Sequence, residues 1–163
     1  MKLSDQCCTR EQAQRLKELG IDQDSVFIHF KAASHAGICQ RGTRYVWAVT
    51  GNPYDAEDIE DWAAFSVAEL GQMLPDYTHK LGNLEIGKSE TDHISMKPKK
   101  EKWWNVSYWT LSGRVERDLY IPEQKSKHLQ QAATLAQTLA KMLIYLLENN
   151  LLSVSEVNER IKG

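Results

Sequence analysis

"SKHLQQAATLAQTLAKMLIYLLEN", residues 126–149, carries the strongest periodicity in the chain. Leu129, Ala132, Ala136, Leu139, Leu143 and Leu146 step by three, four, three, four and three, and Ala133, Ala140 and Leu147 widen the stripe. Apolar residues at that period share one helical face. The stretch therefore predicts a long amphipathic helix over about 126–148, with small residues at its start and large ones at its end. Small residues let a helix approach a sheet closely. A homodimer seam is the other use of such a stripe, but the repeat spans fewer than three heptads and half of it is alanine. Packing on the chain's own sheet is the reading adopted. "ENN" at 148–150 frays the helix, and Ser153 with Glu156 caps a short final helix ending near Ile161.

Upstream, two more helices announce themselves by their caps. Thr9 with Gln12 opens a helix over 10–19, Gly20 stops it, and Ala13, Leu16 and Leu19 form its inner face. Ser66 with Glu69 opens "SVAELGQML", Val67, Leu70 and Leu74 point inward, and Pro75 ends it. "SVFIHF" (25–30) is apolar on both faces, as a strand inside a sheet is. "KAASHAGICQRG" (31–42) reads as a connection and "TRYVWAVT" (43–50) as a second strand, the two strands making a long-looped hairpin. "DAEDIEDWAAF" (55–65) reads as one or two acidic helical turns. "NLEIG", "HISMK", "KWWNVSYWT" and "RVERDLYI" between 81 and 121 read as a meander, with "LSGR" (111–114) as a tight turn. Helix, strands, helix, strands, helix, helix is an α+β order. The expectation is one domain over 1–163: an antiparallel sheet of four to six strands packed on the long C-terminal helix, with short peripheral helices.

Bulk composition bounds the function. At 163 residues and 42% hydrophobic, the chain can fill a core without disulfides or metals. A net charge of −2 argues against coating nucleic acid by charge alone. Cys7, Cys8 and Cys39 are odd in number, which suits a reducing cytoplasm better than a secreted disulfide framework. No signal-peptide pattern is seen at the N-terminus, and "MLIYLL" is too short to span a bilayer. P-loop, dinucleotide fingerprint, nucleophile elbow and paired Cys-x-x-Cys are all missing, which counts against the common enzyme classes.

One stretch invites a site. "KPKKEKWWNVSYW" (97–109) runs Lys97, Lys99, Lys100 and Lys102 into Trp103, Trp104 and Trp109. As a strand it puts Trp103, Asn105, Ser107 and Trp109 on one face and Trp104, Val106, Tyr108 and Thr110 on the buried one. Lysine and proline before an aromatic strand guard a sheet edge. The same residues also compose a single-strand nucleic-acid surface, rings stacking on bases and lysines holding phosphates, if they converge with Arg41, Arg44, Arg114 and Arg117. His29, His35 and Cys39 offer a zinc set without a fourth ligand, or a Cys–His pair at His35 and Cys39 for a small hydrolase. No metal or cofactor is expected. The carboxylates at 55, 57, 58, 60 and 61 read as a solvated face, or a docking patch for a basic partner.

"EQAQRLKELGI", "SVAELGQMLP" and "LAKMLIYLLENNLL", in that order, resemble a family of small uncharacterised proteins of gut Bacteroidetes and their prophages. The likeness covers about a third of the chain. It implies a cytoplasmic accessory protein of phage or mobile-element origin, and it brings no catalytic residues. The leading expectation is thus a non-enzymatic binding protein contacting its partner, a protein or a second copy, through the face of Trp103 and Trp109. A weak single-strand nucleic-acid binder and a small hydrolase are the alternatives.

Overall fold

A computed structural model of the protein describes residues 2–31, 36–41, 60–78, 82–92, 100–116 and 119–162. The capped helices form where their caps stand. α1 (Arg10–Glu18) has the full reciprocal box, Thr9 accepting from the Gln12 amide and Gln12 accepting from the Thr9 amide. It closes at Gly20, whose φ of +90° suits only glycine. The amides of Gly20 and Ile21 then bond back to Lys17 and Leu16. α2 (Val67–Met73) has the same box from Ser66 and Glu69.

β1 (Phe27–Lys31) is central in a three-stranded antiparallel sheet, between β2 (Ala36–Gln40) and β3 (Glu60–Ala63). This corrects two expectations. Part of the supposed connection is a strand paired antiparallel with β1, with Ile28 opposite Cys39. The end of the acidic stretch is extended and not helical. Its Trp62 and Ala63 pair with His29 and Ile28, and an inward Ala63 needs that sheet position to be covered. "TRYVWAVT" and "HISMK" lie outside the described residues.

The second sheet is β4 (Tyr77–Thr78), β5 (Gly82–Asp92), β6 (Lys100–Glu116) and β7 (Leu119–Ala132), antiparallel throughout and in that order. So the described strands divide into two sheets instead of one. β6 runs straight through "LSGR", where Gly113 pairs with Pro122. Pro122 is tolerated because β7 is an edge strand in this order.

The long helix is also shorter than its stripe. Residues up to Ala132 belong to β7, and α3 is Leu135–Glu148. The periodicity at 129, 132 and 133 is therefore coincidental, and Leu129 is 51% exposed on the sheet. Thr134 begins the helix by accepting from the Gln137 amide. The far end does not fray. Asn150 takes φ +54°, and the amides of Asn150 and Leu151 bond to Leu147 and Leu146, closing the last turn. α4 (Val154–Lys162) follows, with Glu156 accepting from the Ser153 amide and hydroxyl.

α3 lies across β6 and β7 and against α1 and α2. Leu139, Leu143 and Leu146 meet Val106 and Tyr108 in one buried cluster with Leu16 of α1, Leu70 and Met73 of α2 and Val157 of α4. The Tyr108 hydroxyl donates to the Pro75 carbonyl within this layer. An α+β fold with antiparallel sheets and a core-forming C-terminal helix is as expected. Leu143→Ala, at a site with no exposure, should cost about 2–5 kcal/mol. Tyr108→Phe, which strands a buried carbonyl, should cost about 1–3 kcal/mol. Urea unfolding followed by circular dichroism measures both.

Candidate functional site

Lys97 and Lys99 lie outside the described residues. Lys100 and Lys102 open β6, where the register sets them opposite Asp92 and Glu90 of β5. Opposed unlike charges on neighbouring strands offset each other. Trp103 is half-buried and faces Ser89 across the ladder. Trp109 stands six residues further on, opposite Asn83 and Ser126, just past a register shift that leaves Lys127 unmatched in β7. Arg41 does not join them: its guanidinium donates to the carbonyls of Ser25 and Gln23 at 3.0 and 2.6 Å. Arg114 is far along β6 opposite Ile121, and Arg44 and Arg117 lie outside the described residues.

Beside Trp103 on the outer face is a shallow depression of about 280 Å³, lined by Glu85, Gly87, Asn105, Ser107, Leu129 and Gln131. The Gln131 amide donates to the Asn105 side-chain carbonyl at 2.8 Å.

Trp104, expected in the core with Val106 and Tyr108, is only half-buried. The Lys88 ammonium sits 5.3 Å from its ring centroid. Trp104 forms one wall of a cleft of about 710 Å³ between the two sheets. Phe27 of β1 comes from the other sheet, Ser66 and Val67 from the start of α2, and Thr134 and Leu135 from the start of α3, with Asp5 and Gln6 also lining it. The Ser66 hydroxyl is committed to Glu69 at 2.6 Å. The Thr134 oxygen accepts from Gln137 and keeps its proton to donate. The result is an aromatic-walled space with a few polar groups, the usual composition of a small-molecule site. Sequence reasoning missed it because Phe27, Trp104 and Thr134 come from three separated segments. The one readable trace was Thr134 three residues before Gln137, a helix start inside the supposed helix.

The thiols and His29 are held in unreactive states. Burial pushes the Cys7 thiol up to about 11 and the Cys8 thiol up to about 12. Cys39, half-buried on β2, is raised by burial and by the Asp61 carboxylate. Thiolate is the nucleophilic form, so each of these is a weak nucleophile at neutral pH. His35 lies outside the described residues. His29 is buried and donates from Nε2 to the Cys8 carbonyl at 2.8 Å, and burial lowers its pKa. Among the described residues no group of three or more His, Cys, Asp or Glu converges as a metal site would need. No protein-family model, curated protein or solved structure matches this chain.

In native protein, iodoacetamide should modify Cys39 first and leave Cys7 and Cys8 untouched until unfolding, as read by mass spectrometry at pH 8. His29 gives a pH dependence. Its folded pKa lies below the unfolded 6.5, so its contribution is present above that value and lost as pH falls through the folded pKa. The unfolding midpoint should drop below pH 6.5, and His29→Gln, which keeps a donor to Cys8, should flatten that drop.

Proposed function

We propose that the chain is a non-enzymatic binding protein that holds a small apolar ligand in the cleft between Phe27 and Trp104. The single observation that carries this is the cleft itself, two aromatic walls supplied by different sheets around about 710 Å³. Rings with wide flat faces favour a planar apolar ligand, and the Lys88 ammonium near Trp104 suits a ligand with a polar end on that side. Raised thiol pKa values support binding over nucleophilic catalysis. The likeness to small prophage-borne proteins supports an accessory role in a phage or mobile element. Three unbridged cysteines suit a reducing compartment such as the cytoplasm. No helix among the described residues is long and apolar enough to cross a membrane.

Single-strand nucleic acid is the second reading, suggested by the run of Lys100 and Lys102 into Trp103 along β6, although alternation gives the two lysines the other face from Trp103. Asp92 and Glu90 in register with those lysines weigh against it.

Saturation-transfer NMR with indole and naphthalene as probes tests the cleft. Transfer is expected to both. It should vanish in Ala133→Trp, an exposed position on the cleft wall where a large ring fills the space without disturbing the core. It should persist in Trp103→Ala. No transfer to either probe from folded wild type would refute the reading.

A further inference from the structure

We infer that the outer face of the four-stranded sheet, around the depression beside Trp103, binds a neutral oligosaccharide. This goes beyond the cleft and is independent of it, since strand alternation puts Trp103, Asn105 and Ser107 on the opposite side from Trp104.

A run of pyranose units shows two kinds of surface. Its ring faces carry C–H groups that pack on an indole, and its edges carry hydroxyls that both donate and accept. The face has a partner for each. Trp103, two positions before Asn105 on the same face of β6, supplies a half-buried ring. Next along β6 come Asn105 and Ser107, with Gln131 of β7 and Glu85 of β5 on either side. The Gln131–Asn105 hydrogen bond fixes the orientation of both amides. Gln131 donates through Nε2, so its carbonyl oxygen is set to accept from a hydroxyl. The Ser107 hydroxyl can do either, and the Glu85 carboxylate accepts. Gly87 lies opposite Asn105, and nothing stands within 4 Å of where its Cβ would be. A side chain there would fill the depression, and glycine leaves it open.

Charge chooses the ligand class. Among the described residues the depression holds one formal charge, the Glu85 carboxylate, which repels phosphates. A nucleic acid is therefore the wrong polymer for it, and a neutral one is the right one. A protein partner fits poorly too. Interface cores are apolar and rich in aromatics, whereas Leu129 is the one large apolar side chain among the six lining residues. Length also suits a polymer. Trp103 and Ser107 are four positions apart on β6, about 13 Å at strand rise, which is room for two or three sugar rings.

Affinity electrophoresis of the whole chain through gels containing hydroxyethylcellulose, soluble starch or galactomannan provides the test. Retardation is expected in at least one of them, unchanged by salt. Gln131→Ala and Glu85→Ala change exposed side chains and leave the core alone. Each should weaken retardation about three- to tenfold, the loss of one hydrogen bond. Trp103→Ala should abolish it, with circular dichroism checking the fold. Ala133→Trp should leave it intact, which separates this result from the fate of the cleft. Migration unaffected by all three polysaccharides would overturn the inference. So would retardation that the Gln131 and Glu85 variants share in full, or salt-sensitive retention on oligo-dT in its place.

Discussion

The contact on which the molecule depends is the ridge Leu139–Leu143–Leu146 of α3 lying on Val106 and Tyr108 of β6. All five side chains are fully or almost fully withdrawn from water. Burying each such leucine contributes about 1.5–3 kcal/mol. The other helices use the same surface. Leu16 of α1, Leu70 of α2 and Val157 of α4 join the cluster from three sides. Polar groups at its margin are matched: the Tyr108 hydroxyl reaches the Pro75 carbonyl, and His128 Nδ1 pairs with the Tyr145 hydroxyl at 3.0 Å. Burial raises the Tyr108 pKa, so it stays a donor across the physiological range.

The three-stranded sheet joins this core through backbone more than through leucines. The Cys8 amide donates to the Phe65 carbonyl, the Val67 amide to Gln6 and the Ala64 amide to Phe27. His29 adds its ring to the Cys8 carbonyl from β1. The N-terminal segment is thereby tied both to the strand-to-helix corner before α2 and to the sheet beside it. The adjacent cysteines sit at that crossing, which accounts for their burial. A raised thiol pKa is a by-product of placing small, weakly polar side chains where space is tight. Their pairing in sequence looked like chemistry, and packing explains it.

What was legible in the sequence was local. Thr9 with Gln12, Ser66 with Glu69 and Ser153 with Glu156 each satisfy helix amides within a few residues, so their signals do not depend on the rest of the chain. What was illegible was decided by distant partners. "LSGR" has turn chemistry, yet it stays extended because Pro122 and its neighbours in β7 pair with it. "HLQQA" has helical spacing, yet it completes a ladder with residues 104–108. "EDWA" is acidic enough for a first helical turn, and β1 pairing makes it a strand. The face carrying Trp103 could be read from alternation alone. The partners of Lys100 and Lys102 could not, because the charge opposite a residue depends on register.

One boundary links the fold to its most open feature. Had the helix begun at 126, its first turns would have lain over the sheet and covered Trp104. Instead those residues are part of the sheet, and the chain turns from β7 into α3 through Ala133 and Thr134 alone. So brief a turn sets the start of α3 at the edge of the covered surface and leaves the region above Trp104 without a helix. On β5, opposite the fully covered Val106, Ile86 is 46% exposed on the same side, because α3 lies across β6 and β7. The α2 start and Phe27 of the other sheet approach this gap without filling it. The cleft is thus the consequence of a helix that starts late, and Thr134, whose hydroxyl fixes that start, lines it.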